Sequence, residues 1–164
     1  MERVYLGVGS NLGDRVGHIL RAEEKIAKHF TEVKRSRLYE TAPRYRTNQP
    51  FFLNAVFCGE TQSAPEELLS YIHKIEMDAG RDRGASGWMG PRPIDIDILL
   101  YGEKSIQTPR LTIPHPRMTE RGFVLIPLLE LDPFLKDPVT GDKYASIAAS
   151  LPHQGIYYHT VMPL

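Results

Sequence analysis

Residues 94 to 101, IDIDILLY, alternate apolar and acidic side chains and then turn wholly apolar. Alternation with a period of two marks a strand with one buried face. The chain must therefore build a sheet with something packed on the side of Ile94, Ile96, Ile98 and Leu100. The opposite side carries Asp95, Asp97, Leu99 and Tyr101. On a strand the two aspartate Cα atoms lie about 6.5 to 7 Å apart. Two like charges that close, in a partly buried place, repel unless a cation sits between them. One short stretch thus constrains the fold and raises a question about chemistry.

The surrounding elements supply the rest of such a sheet. Residues 3 to 8 alternate like a strand and end in the turn signal Gly9-Ser10-Asn11. From Asp14 to Phe30, Val16, Ile19, Leu20, Ile26, Ala27 and Phe30 recur at helical spacing. In GVGSNLGDR there is no P-loop lysine, so Asn11 or Asp14 is expected to cap this helix. Residues 32 to 40 read as a second strand, 41 to 50 as a loop holding two prolines, and 51 to 60 as a third strand. Ser63 and Glu66 have the spacing of a capping box with Pro65 in the first turn, and the helix they open is expected to end at Gly80. Residues 80 to 93 hold four glycines and two prolines and are expected to be mobile. The order is β-α-β-β-α-β, an α+β fold of the ferredoxin-like kind: an antiparallel sheet flanked by helices, with a C-terminal extension. In that extension we expect a short strand at 105 to 107, helical turns at 118 to 131 interrupted by Pro127, loops around Pro133 and Pro138, and a short helix at 144 to 150.

Composition excludes several classes of function. The 164 residues suit a single domain, and 41% hydrophobic content suffices for a sizeable core. Twenty Lys plus Arg balance twenty Asp plus Glu, which gives no support for binding nucleic acid or a membrane surface. No apolar run approaches a signal peptide or a membrane span, so a cytoplasmic location is expected. The lone Cys58 lies within an apolar run and reads as a core residue.

Carboxylates are hard oxygen ligands that suit Mg²⁺, which is usually held by one or two of them together with substrate phosphates. Two bridging aspartates can support a pair of Mg²⁺ ions in a phosphoryl displacement. The alternative is a solvated acidic face on an edge strand. Context favours the metal: Arg81, Arg83 and Arg92 precede the aspartates, and Arg110, His115, Arg117 and Arg121 follow them. Arginine forks match phosphate oxygens. A glycine-rich segment carrying arginines is the expected build of a lid over a polyphosphate. Trp88, in the same segment, either caps a ligand or anchors the loop.

GPRPIDIDILLYG (90 to 102) and LTIPHPRMTERGFVLIPLLEL (111 to 131), with GSNLGDR, YETAP, QPFFLNAV, APEELL and IEMDAGR upstream, resemble the 6-hydroxymethyl-7,8-dihydropterin pyrophosphokinase family over about 130 residues in order. The resemblance implies transfer of pyrophosphate from ATP to the hydroxymethyl group of a reduced pterin, with release of AMP, in folate biosynthesis. It implies that Asp95 and Asp97 hold two Mg²⁺ ions, and that Arg81 and Arg92 neutralise charge at the transition state. Arg83, Arg110, His115 and Arg121 would contact ATP, as would Trp88, with His73, Glu76, Thr112 and the backbone of Ile98 near the nucleotide. Phe52 and Phe123 would sandwich the pterin, and Asn54 and the Thr41, Pro43 and Arg44 stretch would read its edge. Packing remains an alternative for Phe52, and a turn role for His115 between its two prolines. Three features depart from the family's pattern: Met89 lengthens the segment after Trp88, Phe52 stands where Tyr is common, and Pro116 stands where some members have Tyr. Residues 132 to 164 match poorly and receive no catalytic role.

Two other functions compete. Metal-dependent nucleotidyltransferases also carry Asp-x-Asp on a strand, but they want a Gly-Ser turn just before it and a third carboxylate. A ferredoxin-like ligand-binding module without activity would not need the aspartates beside an arginine-bearing segment. A monomer acting on small molecules is expected, since no exposed apolar stripe stands out.

Overall fold

The computed structural model describes residues 1–42, 48–80, 92–152, 154 and 156–158. In chain order the elements are β1 (Glu2–Ser10), α1 (Arg15–Ala27), β2 (Thr31–Arg35), β3 (Tyr39–Thr41), β4 (Phe52–Thr61), α2 (Pro65–Asp78), β5 (Asp95–Tyr101), β6 (Ile106–Gln107) and β7 (Thr112–Ile113). A 3-10 turn (Met118–Glu120), α3 (Gly122–Leu131), α4 (Tyr144–Ser150) and β8 (Ile156–Tyr158) follow. The main sheet runs β5-β1-β4-β3-β8, with β2 also paired to β4. Its β1 contacts to β4 and β5, like those of β4 to β2 and β3, are antiparallel. This is the expected α+β arrangement. A separate β6-β7 ribbon leans on β5.

Local chemistry explains where elements start and stop. The Asp14 carboxylate accepts the Gly17 N–H at 3.1 Å and caps α1. The capping box at Ser63 does not form. Ala64 is the N-cap of α2, with Pro65 preset for the first turn, and the Ser63 carbonyl instead accepts the Tyr101 hydroxyl. The stretch expected as one strand over 32 to 40 is split into β2 and β3. The buried Ser36 hydroxyl intrudes there, accepting the Val56 N–H at 3.0 Å while donating to the Arg37 carbonyl at 2.8 Å. Helix α3 runs through Pro127 rather than stopping at it. Val124, Leu125, Pro127 and Leu128 are buried against the sheet, and that packing outweighs the missing hydrogen bond.

Two cores hold the sheet. On one face Val4, Leu6, Val8, Phe57, Ile94, Ile96 and Ile98 pack against Ile19, Ala22 and Ile26 of α1 and Leu68, Ile72 and Ile75 of α2. On the other, Tyr5, Val56, Leu99 and Leu100 meet Val124, Leu125 and Leu128 of α3 and Tyr144 of α4. Cys58 is free and buried in the second core. The strict alternation read for residues 94 to 101 fails at its end: Tyr101 joins the first core and Leu100 the second. The cause is a bulge. Leu6 pairs with Ile98, but its neighbour Tyr5 pairs with Leu100, so one extra residue enters β5 and inverts the faces beyond it. Asp95 and Asp97 precede the bulge and keep the face opposite Ile94, Ile96 and Ile98. Among the described residues no helix is long and apolar enough to cross a membrane.

Candidate active site

Helices α3 and α4 cover the second face of the sheet only in part. Beyond them the sheet floors a cavity of about 350 Å³. Its floor is β1 at Gly7 and Gly9, whose missing side chains open the space. The strand register sets its walls. Gly7 lies between Asp97 of β5 and Val56 of β4, and Gly9 lies between Asp95 and Asn54. Acids and amide therefore face one another across two strand spacings, about 10 Å.

Within this wall Asn54 is 8% exposed, and its Nδ2 donates to Thr41 Oγ1 at 2.7 Å. That bond fixes its Oδ1 toward Gly9, where even a Cβ would come within 2.7 Å. Phe52 stands two residues earlier on the same face, with the Arg92 guanidinium 5.4 Å from its ring centroid. Across the cavity Arg121 lies 5.7 Å from the Phe123 centroid. Each aromatic ring is thus paired with a cation of the kind that binds phosphate.

The bulge does chemical as well as geometric work. It turns the Leu99 carbonyl out of the ladder, where it accepts the His115 N–H at 3.0 Å. His115 is thereby hung beside the aspartates. Its Nδ1 accepts the Arg117 N–H at 3.2 Å, which leaves the ring proton on Nε2, 3.9 Å from Asp97 Oδ1. Burial, reinforced by the charges of Arg121 and Arg117 and opposed by Asp95, pushes His115 down to about 4. At neutral pH it is an uncharged donor aimed into the cavity.

Arg92 is placed by Asn11. The Asn11 Oδ1 accepts the Arg92 N–H at 2.9 Å, and its Nδ2 donates to Gln49 Oε1 at 2.7 Å and to the Pro50 carbonyl at 3.2 Å. One buried amide therefore ties β1 to the residues leading into β4 and β5. Asp14 alone caps α1.

Of the residues expected from the sequence, Asp95, Asp97, Arg92, His115, Arg121 and Phe123 line the cavity, as do Phe52, Asn54 and Thr41. Five others stand apart from it, along or beyond the outer edge of β5. Glu76 is 2% exposed and accepts the Ile96 N–H at 3.0 Å. His73 is one turn away on α2. The Ile98 side chain is in the first core. Thr112 is exposed on β7, and Arg110 pairs with Glu66 at 3.4 Å on the surface. Pro43, Arg44, Arg81, Arg83 and Trp88, like Met89, lie outside the described residues. Arg117, read from sequence only as one of the cations flanking the aspartates, also lines the cavity, and two contributors were not assigned from sequence: Gly7 and Gly9. The Gly-x-Gly spacing on a strand was the available signal, because it clears one face twice in succession.

Among the described residues no group of three or more His, Cys, Asp or Glu converges on one point. An ion held by Asp95 and Asp97 would therefore complete its shell with water and substrate oxygens. That open, all-oxygen donor set fits Mg²⁺ and not a closed Zn²⁺ cage.

Residues 5–133 match the family model for 7,8-dihydro-6-hydroxymethylpterin-pyrophosphokinase. A 2-amino-4-hydroxy-6-hydroxymethyldihydropteridine pyrophosphokinase of Aquifex aeolicus is 45% identical over 139 residues, 85% of this chain and 86% of that protein. A folic acid synthesis protein of Pneumocystis carinii is 47% identical over 146 residues, covering 88% of this chain and 20% of its own length. A mitochondrial folate synthesis bifunctional protein of Pisum sativum is 41% identical over 155 residues, covering 94% and 29%. The chain thus spans less than a third of those two longer relatives. Among solved structures, Plasmodium falciparum HPPK-DHPS with pteroate superposes with a TM-score of 0.71 at 16% identity, over 90% of this chain and 42% of that one. At that identity the likeness speaks for the fold alone.

Proposed function

The chain belongs to the 7,8-dihydro-6-hydroxymethylpterin-pyrophosphokinase family, and we propose that it transfers pyrophosphate from ATP to the hydroxymethyl group of 6-hydroxymethyl-7,8-dihydropterin in folate biosynthesis. The observation that carries this reading is the cavity itself. It opposes a carboxylate pair to an aromatic and amide wall, and three arginines line it as well. Phosphoryl transfer asks little covalent chemistry of a protein and depends on positioning and charge. A single cavity with a phosphate-binding half and a ring-binding half meets that need.

In the reaction the pterin hydroxyl oxygen forms a bond to the β-phosphorus of ATP, and the bond from that phosphorus to the α,β-bridging oxygen breaks. AMP leaves with the bridging oxygen, and the hydroxyl proton is lost. Asp95 and Asp97 would hold two Mg²⁺ ions, which when bound offset phosphate charge and acidify the acceptor hydroxyl. Arg92, Arg121 and Arg117 supply forked donors to the phosphate oxygens. His115 offers its Nε2–H without adding charge. Phe52 and Phe123 hold the ring, and Asn54, oriented by Thr41, reads its edge. By resemblance, Arg81 and Arg83 add phosphate contacts, and Trp88, Pro43 and Arg44 complete the two substrate sites. Also by resemblance, His73, Glu76, Ile98, Arg110 and Thr112, grouped toward the β5 edge, serve the nucleotide. The protein acts on small molecules in the cytoplasm.

The test is a product assay with purified protein, Mg²⁺, ATP and the hydroxymethyl dihydropterin, with nucleotides resolved by chromatography. Pterin-dependent AMP without free pyrophosphate is expected. Release of pyrophosphate would indicate nucleotidyl transfer, and no product from folded protein that binds ATP would remove the activity.

A further inference from the structure

The start of α3 is left open by its own sequence. Arg121, its N-cap, makes no side-chain cap hydrogen bond, and the Gly122 N–H is one of the first-turn donors a helix cannot satisfy internally. That donor is satisfied from 32 residues away. Gly122 N–H donates to Gln154 Oε1 at 2.8 Å, and Gln154 Nε2 donates to the Glu120 carbonyl at 3.1 Å. One amide therefore bridges the residues on both sides of Arg121. Its orientation is unambiguous, because one partner can only donate and the other only accept.

What this amide holds is a corner of the cavity. Arg121 is an extended residue, with φ −117° and ψ 102°, between the 3-10 turn and α3. Rotation there would swing the Arg121 and Phe123 side chains together. Beyond Gln154 the chain forms β8, which pairs with β3 and sets Ile156 opposite Thr41. Gln154 and the backbone of residues 156 to 158 thus meet both walls, the Arg121–Phe123 corner and the strand bearing Thr41. All of them lie past residue 133, where the family match ends.

We propose that Gln154 is a positioning residue for the pterin half of the site, acting through Phe123 by clamping the backbone on either side of Arg121. The proposal rests on the reading of Phe123 as a pterin contact. It assigns a role to the C-terminal segment in which sequence reading found none.

The test is a double-mutant cycle on the full chain, comparing wild type, Gln154→Ala, Phe123→Leu and the double variant. Pterin affinity is followed by ligand fluorescence with a non-hydrolysable ATP analogue and Mg²⁺ present, and melting temperature is recorded for each protein. Gln154→Ala is expected to weaken pterin about fivefold, the effect of one lost hydrogen bond. The same change in the Phe123→Leu background should cost less than twofold. Wild-type affinity in Gln154→Ala, or an equal loss in both backgrounds, would overturn the proposal, since a merely structural contact adds independently of Phe123. Failure of the wild-type protein to bind pterin at all would instead overturn the functional reading beneath it.

Discussion

Gly9→Ala is the smallest change that should damage the pterin site while leaving the catalytic carboxylates in place. Gly9 is an ordinary strand residue, so alanine meets no backbone penalty there. The obstacle is the Asn54 side chain, whose Oδ1 would lie 2.7 Å from the new Cβ, closer than such atoms approach. Asn54 cannot simply rotate away, because its Nδ2 is bonded to the buried Thr41 hydroxyl at 2.7 Å. Relief requires breaking that bond, about 1 to 1.5 kcal/mol, or shifting β4 against β1, an overpacking cost of about 1 to 3 kcal/mol. Taken as lost binding energy, about 1 to 3 kcal/mol is roughly a 5- to 150-fold rise in pterin Kd. ATP affinity should change by less than about threefold, an order-of-magnitude limit, since additivity holds for groups this far apart. Gly7→Ala is the comparison: its Cβ would meet Leu99 Cδ2 at 3.4 Å, ordinary contact, so its loss of pterin affinity should be the smaller of the two. Calorimetric titration of each variant with pterin, and separately with an ATP analogue, decides the matter. Equal pterin affinity in Gly9→Ala and wild type would refute the claim that Asn54 is locked against β1 and reads the ligand.

Three further outcomes are expected. Asp95→Asn and Asp97→Asn should each lower kcat by roughly 10³-fold or more, reflecting several kcal/mol of lost charge stabilisation. Because the Asp97 side chain is 38% exposed, the melting temperature of its variant should hold, and turnover within tenfold of wild type would rule out a metal-holding role. Glu76→Ala leaves the buried Ile96 N–H without its carboxylate acceptor, so a loss of about 1 to 3 kcal/mol of stability by denaturant unfolding is expected. His115 is held at about 4 in the folded protein, below the value of 6.5 it would have unfolded. The unfolded chain therefore binds the extra proton between those limits, and metal-free protein should lose stability as pH falls from 6.5 to 4, by about 3 kcal/mol at most. His115→Gln should flatten that part of the stability profile, and an unchanged profile would refute the buried neutral ring.

Period-two patterning made the strand-borne part of the site legible. Asp95 with Asp97, and Phe52 with Asn54, are pairs two residues apart, and each pair shares a face whatever the rest of the chain does. The same rule misled at Leu100 and Tyr101, because a bulge is chosen by pairing with β1 and leaves no mark in local alternation. Ser36 split a strand for a similar reason: its hydroxyl competes with the backbone for Val56, twenty residues away. Asn11 read, beside Asp14, as one of two candidate helix caps because capping is its commonest local use. Its actual partners are Gln49, Pro50 and Arg92, up to 81 positions distant. Gln154 carried no signal at all, since an isolated glutamine has no period and no motif. What escaped the sequence is thus the set of polar contacts between distant segments.

Those contacts matter because strand register alone cannot complete the site. Register sets the aspartates opposite the glycines, and the glycines opposite Val56 and Asn54. A slip of one residue between β1 and β4 would turn Asn54 and Phe52 onto the helix-covered face. The hydrophobic pattern forbids that slip, because Leu53, Ala55 and Phe57 would then leave the first core. Hydrophobic burial therefore specifies the two opposed walls with the full cooperativity of the fold. It specifies nothing about Arg92, His115 or Arg121, which enter from connections outside the main sheet. Hydrogen bonds from distant segments help to place each of them: Asn11 to Arg92, the bulged Leu99 carbonyl to His115, and Gln154 around Arg121. Bonds of this kind contribute about 1 kcal/mol each, small beside global stability but comparable to the energies that distinguish a good from a poor catalytic geometry. Substitutions at Asn11 and Gln154 should accordingly separate activity from stability more cleanly than any substitution in the core.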